Sequence, residues 1–341
     1  MTALAATEPV AFPAAAIPIP CVVARAVVRR YPGGRSVGPV DLEVMEGEVL
    51  ALMGSNGAGK STLLRLLASA DRADDGRTTW WGTTHSRGAR RRMGYAADEP
   101  AEESTLSLRQ ATHFWCRQWV TAPLKARRLT DEALTALGLA DRADEPVGTL
   151  SYGLRRRLAL AQALVHRPAL ALLDEPSAGL DPDGVASVSA VLRGRAERGE
   201  ATVVASNDPE FVAGVADRVA MLHEGRCLRV APIAVLLAEV PRQRIVQLHL
   251  GDAGAGQAAL TEAVSRRIAA LSGVTLLSAS DGLIEAELAD GTSLSQVVGA
   301  ADALGPGVRS LEVRRPDLRE CFHALLRSSD ATPGSAPGAT R

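Results

Sequence analysis

With 341 residues, 46% of them hydrophobic, the chain is long enough for one large domain and a smaller one and apolar enough to fill a core, which excludes global disorder. A formal net charge of −1 excludes a general electrostatic attraction to nucleic acid or to an anionic membrane surface, so any such partner must be found by a local feature. Cys21, Cys116, Cys227 and Cys321 lie far apart with no Cys-x-x-Cys pair, which suggests neither a disulfide framework nor a zinc site and fits a reducing cytoplasm.

Residues 1–20 are apolar but lack a basic start and carry Pro9, Pro13, Pro18 and Pro20, so they read as a flexible lead-in rather than a secretory signal. Residues 22–28 and 41–44 read as strands around the turn Pro32-Gly33-Gly34. Residues 48–53 read as a buried strand that runs into a glycine-rich loop, with a helix starting near Lys60. From 101 to 165 the pattern is mostly helical, amphipathic over 106–120 and 130–139, with a further helix opening at Ser151. This reads as a helical insert in an α/β core.

Short apolar runs at 170–173 and 201–205 are of the kind that fill the middle of a parallel sheet, and strands separated by helices imply βαβ crossovers. The longest apolar runs, such as residues 230–238, fall well short of the roughly 20 residues that cross a bilayer. After residue 239 the expected order is strand 244–250, helix 257–271, strands 274–279 and 282–288, helix 293–304 and strand 308–313. That β-α-β-β-α-β order predicts a small ferredoxin-like module. A last helix over 318–326 precedes a tail, 328–341, whose Pro, Gly, Ser, Ala and Thr predict disorder.

Gly54-Ser55-Asn56-Gly57-Ala58-Gly59-Lys60-Ser61-Thr62 fits the phosphate-binding pattern G-x-x-x-x-G-K-[ST], placed after a strand and before a helix as its mechanism requires. Glycines let backbone N–H groups curl around a phosphate while the following helix adds its positive end. Lys60 reaches the β- and γ-phosphates in such a loop, and Ser61 binds Mg²⁺. The chain holds 36 arginines and only two lysines, Lys60 and Lys125, and one of the two stands where a compact ammonium suits a phosphate cradle. The run 170–173 ends in Asp174-Glu175-Pro176, two carboxylates that a buried strand accommodates when cations or bound water compensate them. Asp174 is the candidate for holding Mg²⁺ through its water shell, and Glu175 for deprotonating an attacking water. Ser151, 23 residues before Asp174, caps a helix whose N–H groups and dipole form an anion site. Taken singly, Asp-Glu-Pro is also an ordinary turn and Ser151 an ordinary helix cap.

Together, in this order and spacing, the three elements resemble the Walker A, signature and Walker B motifs of the ATP-binding cassette (ABC) family, over about residues 22–230. Tyr31 is placed like the aromatic that stacks on adenine, and Asp181, in Ser177-Ala178-Gly179-Leu180-Asp181, like the loop joining two ATP sites. The resemblance implies an α/β P-loop nucleotide-binding domain over 21–238, with a helical subdomain near 99–165 and an accessory α+β domain over 239–327. It also implies ATP and Mg²⁺ as ligands, and dimerisation in which Ser151 and Gly153 of one cassette close over the γ-phosphate held by the other. The partners implied are an integral-membrane permease and a second ATPase subunit, identical or different, at the inner face of the cell membrane; no nucleic acid is expected.

The sequence departs from the family at three places. Asp98 stands where a glutamine near Mg²⁺ is usual and is a candidate metal ligand. Asn207 replaces the usual histidine at the γ-phosphate; its amide can donate a hydrogen bond but neither titrates nor supplies a cation, which predicts slower hydrolysis. In the signature, Tyr152 and Leu154 replace a glycine and a glutamine. The string Leu150 to Arg157 resembles the exporter branch that includes daunorubicin-resistance ATPases, and residues 314–322 resemble the closing motif of its accessory domain. This implies export of a drug, antibiotic or lipid-linked molecule. Arg155, Arg156 and Arg157 read as a solvated helix face. Trp80, Trp81, Trp115 and Trp119 read mostly as core, and the six histidines show no metal spacing. Two other readings stay open: a non-transport cassette acting in DNA repair or translation, and a weakly hydrolysing nucleotide-sensing subunit.

Overall fold

The computed structural model describes residues 20–98, 105–239, 244–252, 254–289, 291–303, 307–314 and 317–330. The expected lead-in lies outside them except for Pro20, the first residue of a strand, and the expected tail lies outside them beyond Asp330, the last residue of a helix. The described residues divide into two compact units, those up to Leu50 with 61–205 and 51–60 with those from Ser206 onward.

In the first unit, β1 (Pro20–Arg30) pairs antiparallel with β2 (Ser36–Met45). The strand β3 (Val49–Met53) is wholly buried, and its last three residues already belong to the second unit. After α1 (Lys60–Leu67), β4 (Asp75–Trp80) pairs with the other edge of β1, giving the sheet order β2-β1-β4. Sequence patterning does not reveal β4 because Asp-Gly-Arg-Thr-Thr is polar and mostly exposed; its anchor is Trp80, which is buried and donates from Nε1 to Leu67 O at 2.7 Å. Next come α2 (Ser86–Arg90) and β5 (Met93–Ala96).

The helical insert comprises α3 (Leu108–Arg117), α4 (Pro123–Ala136) and α5 (Tyr152–Leu164). A capping box of Ser107 and Gln110 starts α3. Helix α4 starts seven residues earlier than 130 because Pro123 at its first turn fixes a helical φ at no hydrogen-bond cost. It ends before Gly138, which takes φ 65°. The buried strand β6 (Leu170–Asp174), α6 (Pro182–Glu197) and β7 (Ala201–Ser206) complete the unit. Strands β5, β6 and β7 run parallel in direct register, Leu172 facing Tyr95 on one side and Val203 on the other. Their continuous apolar sequences fit burial on both faces. Thr202 N–H donates to Glu48 O at 2.9 Å, which sets the entry of β3 beside β7.

In the second unit, α7 (Pro209–Val215) is capped by Asp208 and followed by a hairpin of β8 (Arg218–His223) and β9 (Arg226–Pro232). The hairpin turns at Glu224-Gly225, both with positive φ, as a two-residue loop requires. After α8 (Ile233–Glu239) the module predicted from the sequence follows: β10 (Arg244–Leu250), α9 (Gln257–Ala269), β11 (Val274–Ser280), β12 (Leu283–Leu288), α10 (Leu294–Asp302) and β13 (Val308–Arg314). Its sheet is antiparallel in the order β11-β12-β10-β13, the ferredoxin-like arrangement. A core of its own, including Val246, Leu248, Val264, Ile268, Ile284 and Val297, fills the space between sheet and helices. The last helix, α11 (Leu318–Asp330), packs on α7 and α8, with Cys321 Sγ donating to Leu236 O and Phe322 edge-on to His223.

Candidate functional site

In the second unit, β3 ends in the glycine-rich loop. At Gly54 a Cβ atom would lie 2.2 Å from Leu222 O, so the backbone approaches too closely for any other residue. Gly57 and Gly59 take φ 81° and 100°, conformations that fold the loop back on itself. Ala58 N–H donates to Ser55 O at 3.1 Å, and Ala58 O accepts from Gly225 N–H at 3.0 Å, which ties the loop to the β8–β9 turn. Lys60 is buried, and its Nζ donates to Gly54 O at 2.8 Å and to Ser55 O at 3.3 Å, so the ammonium sits within the loop it closes. Asn207, just after β7, donates from Nδ2 to Asn56 Oδ1 at 3.3 Å.

In the first unit, the next residue along α1, Ser61, donates from Oγ to Asp174 Oδ1 at 3.1 Å. Asp174 is buried at the end of β6. Glu175 follows at φ 44°, a left-handed conformation that costs a β-carbon-bearing residue energy and that clusters at functional turns. Its N–H donates to Ala205 O at 2.8 Å, which pins that turn to β7. Hydroxyl and carboxylate oxygens facing each other are hard donors of the kind Mg²⁺ takes, so the residues present fit that ion. A loop that only glycine can form, followed by a buried lysine, fits a phosphate group.

Tyr31 is half-buried; its hydroxyl lies 3.2 Å from Thr62 Oγ1 and accepts from Arg65 Nη2 at 3.4 Å, while the Arg29 guanidinium stands 5.4 Å from its ring centroid. Arg65 also hydrogen-bonds Asp71 and holds that carboxyl below its usual range. Close to Asp174, Tyr95 has its phenol pushed up, by burial first and by the Asp174 charge second.

Ser151 is exposed and caps α5, its Oγ accepting from Leu154 N–H at 3.4 Å. Gly153 packs so closely on the following loop that a Cβ would meet Gly179 O at 2.7 Å. Asp181 caps α6 by accepting from Gly184 N–H at 2.9 Å. Ser151 and Asp181 are both exposed helix caps.

Two readings of the sequence need correction. The arginine run is not a solvated face at its middle position, since Arg156 is wholly buried and hydrogen-bonds the backbone at Ala97, Asp98, Asp174 and Glu175 as well as the Asp98 carboxylate. The signal available was its spacing: Arg156 shares a helical stripe with the buried Leu160 and Ala163. Of the tryptophans, Trp115 and Trp119 are substantially exposed on the insert, while Trp80 is core.

Residues 37–178 match the family described as ABC transporter. The daunorubicin resistance ATP-binding protein DrrA3 of Streptomyces coeruleorubidus is 33% identical over 86% of this chain and 92% of its own length. This chain belongs to the ABC transporter ATP-binding subunits. The cobalt import ATP-binding protein CbiO of Rhodobacter capsulatus is 36% identical over 64% of the chain and 81% of its own length. A solved dimeric structure of a post-hydrolysis state of the ATP-binding cassette MJ0796, bound to ADP and Pi, shares the fold with a TM-score of 0.58 at 22% identity, over 62% of this chain and 98% of that one. ABC subunits bind ATP, hydrolyse it in step with transport, dimerise and work with permeases. Among the described residues no helix is long and apolar enough to cross a membrane.

Proposed function

We propose that this ABC subunit powers the export of a small hydrophobic molecule, a drug or a lipid-linked compound, through a separate permease at the inner face of the cell membrane. The relative named for daunorubicin resistance matches 86% of the chain, a span that must include much of the C-terminal module, whereas the match to the cobalt import protein covers 64%. The observation that carries the catalytic reading is the pair Lys60 and Ser61: a buried ammonium within a glycine loop, followed by a hydroxyl bonded to a buried carboxylate.

In this reading the backbone N–H groups of residues 54–60 cradle the β-phosphate, and Lys60 exchanges its loop carbonyls for phosphate oxygens. Ser61 and Asp174 hold Mg²⁺, which neutralises charge on the phosphates. Glu175 takes the proton of the attacking water, and Asn207 donates a hydrogen bond to the γ-phosphate. Tyr31 supports the adenine. Ser151 and Gly153 of a partner cassette seal the γ-phosphate, and Asp181 lines the passage between the two sites. Loss of that phosphate removes the bridge between cassettes and reopens the dimer.

Turnover of Mg-ATP by the full chain and by Glu175→Gln tests this. The variant is expected to lose about 10²-fold or more in rate, the usual yield of a positioned general base, with ATP affinity nearly unchanged. Equal rates would remove Glu175 from its role. A second reading, a nucleotide-sensing subunit that scarcely hydrolyses, is favoured by Asn207, and a wild-type rate no higher than that of Glu175→Gln, with tight ATP binding, would select it.

A further inference from the structure

Among three consecutive arginines on α5, only Arg156 is removed from solvent. Burying a guanidinium is tolerated only when its N–H groups find acceptors, and here all the acceptors come from two loops. Nε and Nη2 donate to Glu175 O at 3.0 and 2.6 Å, and Nη2 also reaches Asp174 O. Nη1 donates to Ala97 O at 2.7 Å and to Asp98 O, and Nη2 stands 3.3 Å from Asp98 Oδ1. One planar fork thus joins the helix that Ser151 opens, the turn that carries Asp174 and Glu175, and the position where the family's glutamine is replaced by Asp98.

We propose that Arg156 is a positioning residue of the ATPase and that Asp98 is its ion-pair partner, not a metal ligand. The inference rests on the reading of Glu175 as the base. Arg156 lies about 1.4 turns along α5 from Ser151, so a displacement of the helix start by a closing partner cassette moves the fork as part of a rigid rod. The fork holds Glu175 through its carbonyl oxygen, next to a left-handed φ, and therefore sets where that carboxylate points. Asp98 supplies the charge that keeps the fork in register. A glutamine there offers no such charge, and a lysine at 156 has no planar fork with which to span both loops.

The full chain with Arg156→Met, Arg156→Lys and Asp98→Asn tests the proposal through three readouts: ATP affinity, turnover, and the Mg²⁺ concentration for half-maximal turnover. Both Arg156 variants are expected to bind ATP within about threefold of wild type and to lose about tenfold or more in turnover, since small misplacements of reacting groups cost up to about 10²-fold. Asp98→Asn is expected to lower turnover by about threefold with the Mg²⁺ requirement unchanged. Wild-type turnover in Arg156→Met would overturn the positioning role. A rise of about tenfold in the Mg²⁺ requirement of Asp98→Asn, the loss expected on removing a charged ligand, would overturn the ion-pair assignment. If Arg156→Met does not fold, Asp98→Asn decides alone, because it removes the ion pair and spares the carbonyl bonds; undiminished turnover in it would overturn the proposal. Equal rates for wild type and Glu175→Gln would instead defeat the reading on which the inference rests.

Discussion

In the proposed mechanism Asn207 is the residue expected to limit the rate. Its amide, bonded to Asn56, can donate to a phosphate but carries no charge with which to balance the transition state. Asn207→His is therefore expected to raise turnover, by up to about 10²-fold if the imidazole supplies a full transition-state donor; no increase would count against the assigned role. His166 gives a prediction in pH. It stacks on Trp119 with centroids 4.8 Å apart, its Nε2 lies 3.0 Å from Met93 O, and burial holds its pKa below the ordinary 6.5. The unfolded chain binds the proton first as pH falls, so the stability of the neutral ring is present above about 6.5 and is lost below it. Thermal melts of His166→Phe should show a shallower decline in Tm on acidification than wild type does; parallel declines would contradict this.

At the scale of elements, α5 holds the turn that carries Asp174 and Glu175 through the Arg156 side chain. Gly94 in β5 passes so close to α5 that a Cβ would lie 2.1 Å from Ala163 O, backbone that cannot swing aside. Gly94→Ala should cost about 1–3 kcal/mol, the usual range for overpacking, read as a fall in Tm, and an unchanged Tm would show that the helix can slide. The loop before α1, the cap at Ser151 and the strand order of the C-terminal module are legible in the sequence, because each depends on local chemistry: glycine at positive φ, a hydroxyl at a helix start, alternation broken by turns. What is not legible depends on contacts made at a distance. The polar strand β4 exists because β1 offers it a partner, and Arg156 reads as a surface charge because its acceptors are carbonyls from residues 18 to 59 positions away. The β8–β9 hairpin is likewise not legible, since its turn puts Glu224 at φ 46°, a conformation that glutamate does not signal in a sequence.

At the scale of the whole molecule, the C-terminal module has a hydrophobic core of its own. Leu248 is wholly buried there, and Leu248→Ala should destabilise the module by about 2–5 kcal/mol while leaving ATP affinity within about twofold. A large loss of affinity would instead make the module part of the nucleotide site. The central claim, that this chain grips a triphosphate through Lys60, is tested most directly by calorimetric titration of the full chain with Mg-ATP beside Lys60→Ala. A charge-assisted contact contributes about 1.5–3 kcal/mol, so the account predicts saturable binding that weakens about tenfold to a hundredfold in the variant. Absence of saturable binding, or equal affinity in the two proteins, would contradict it.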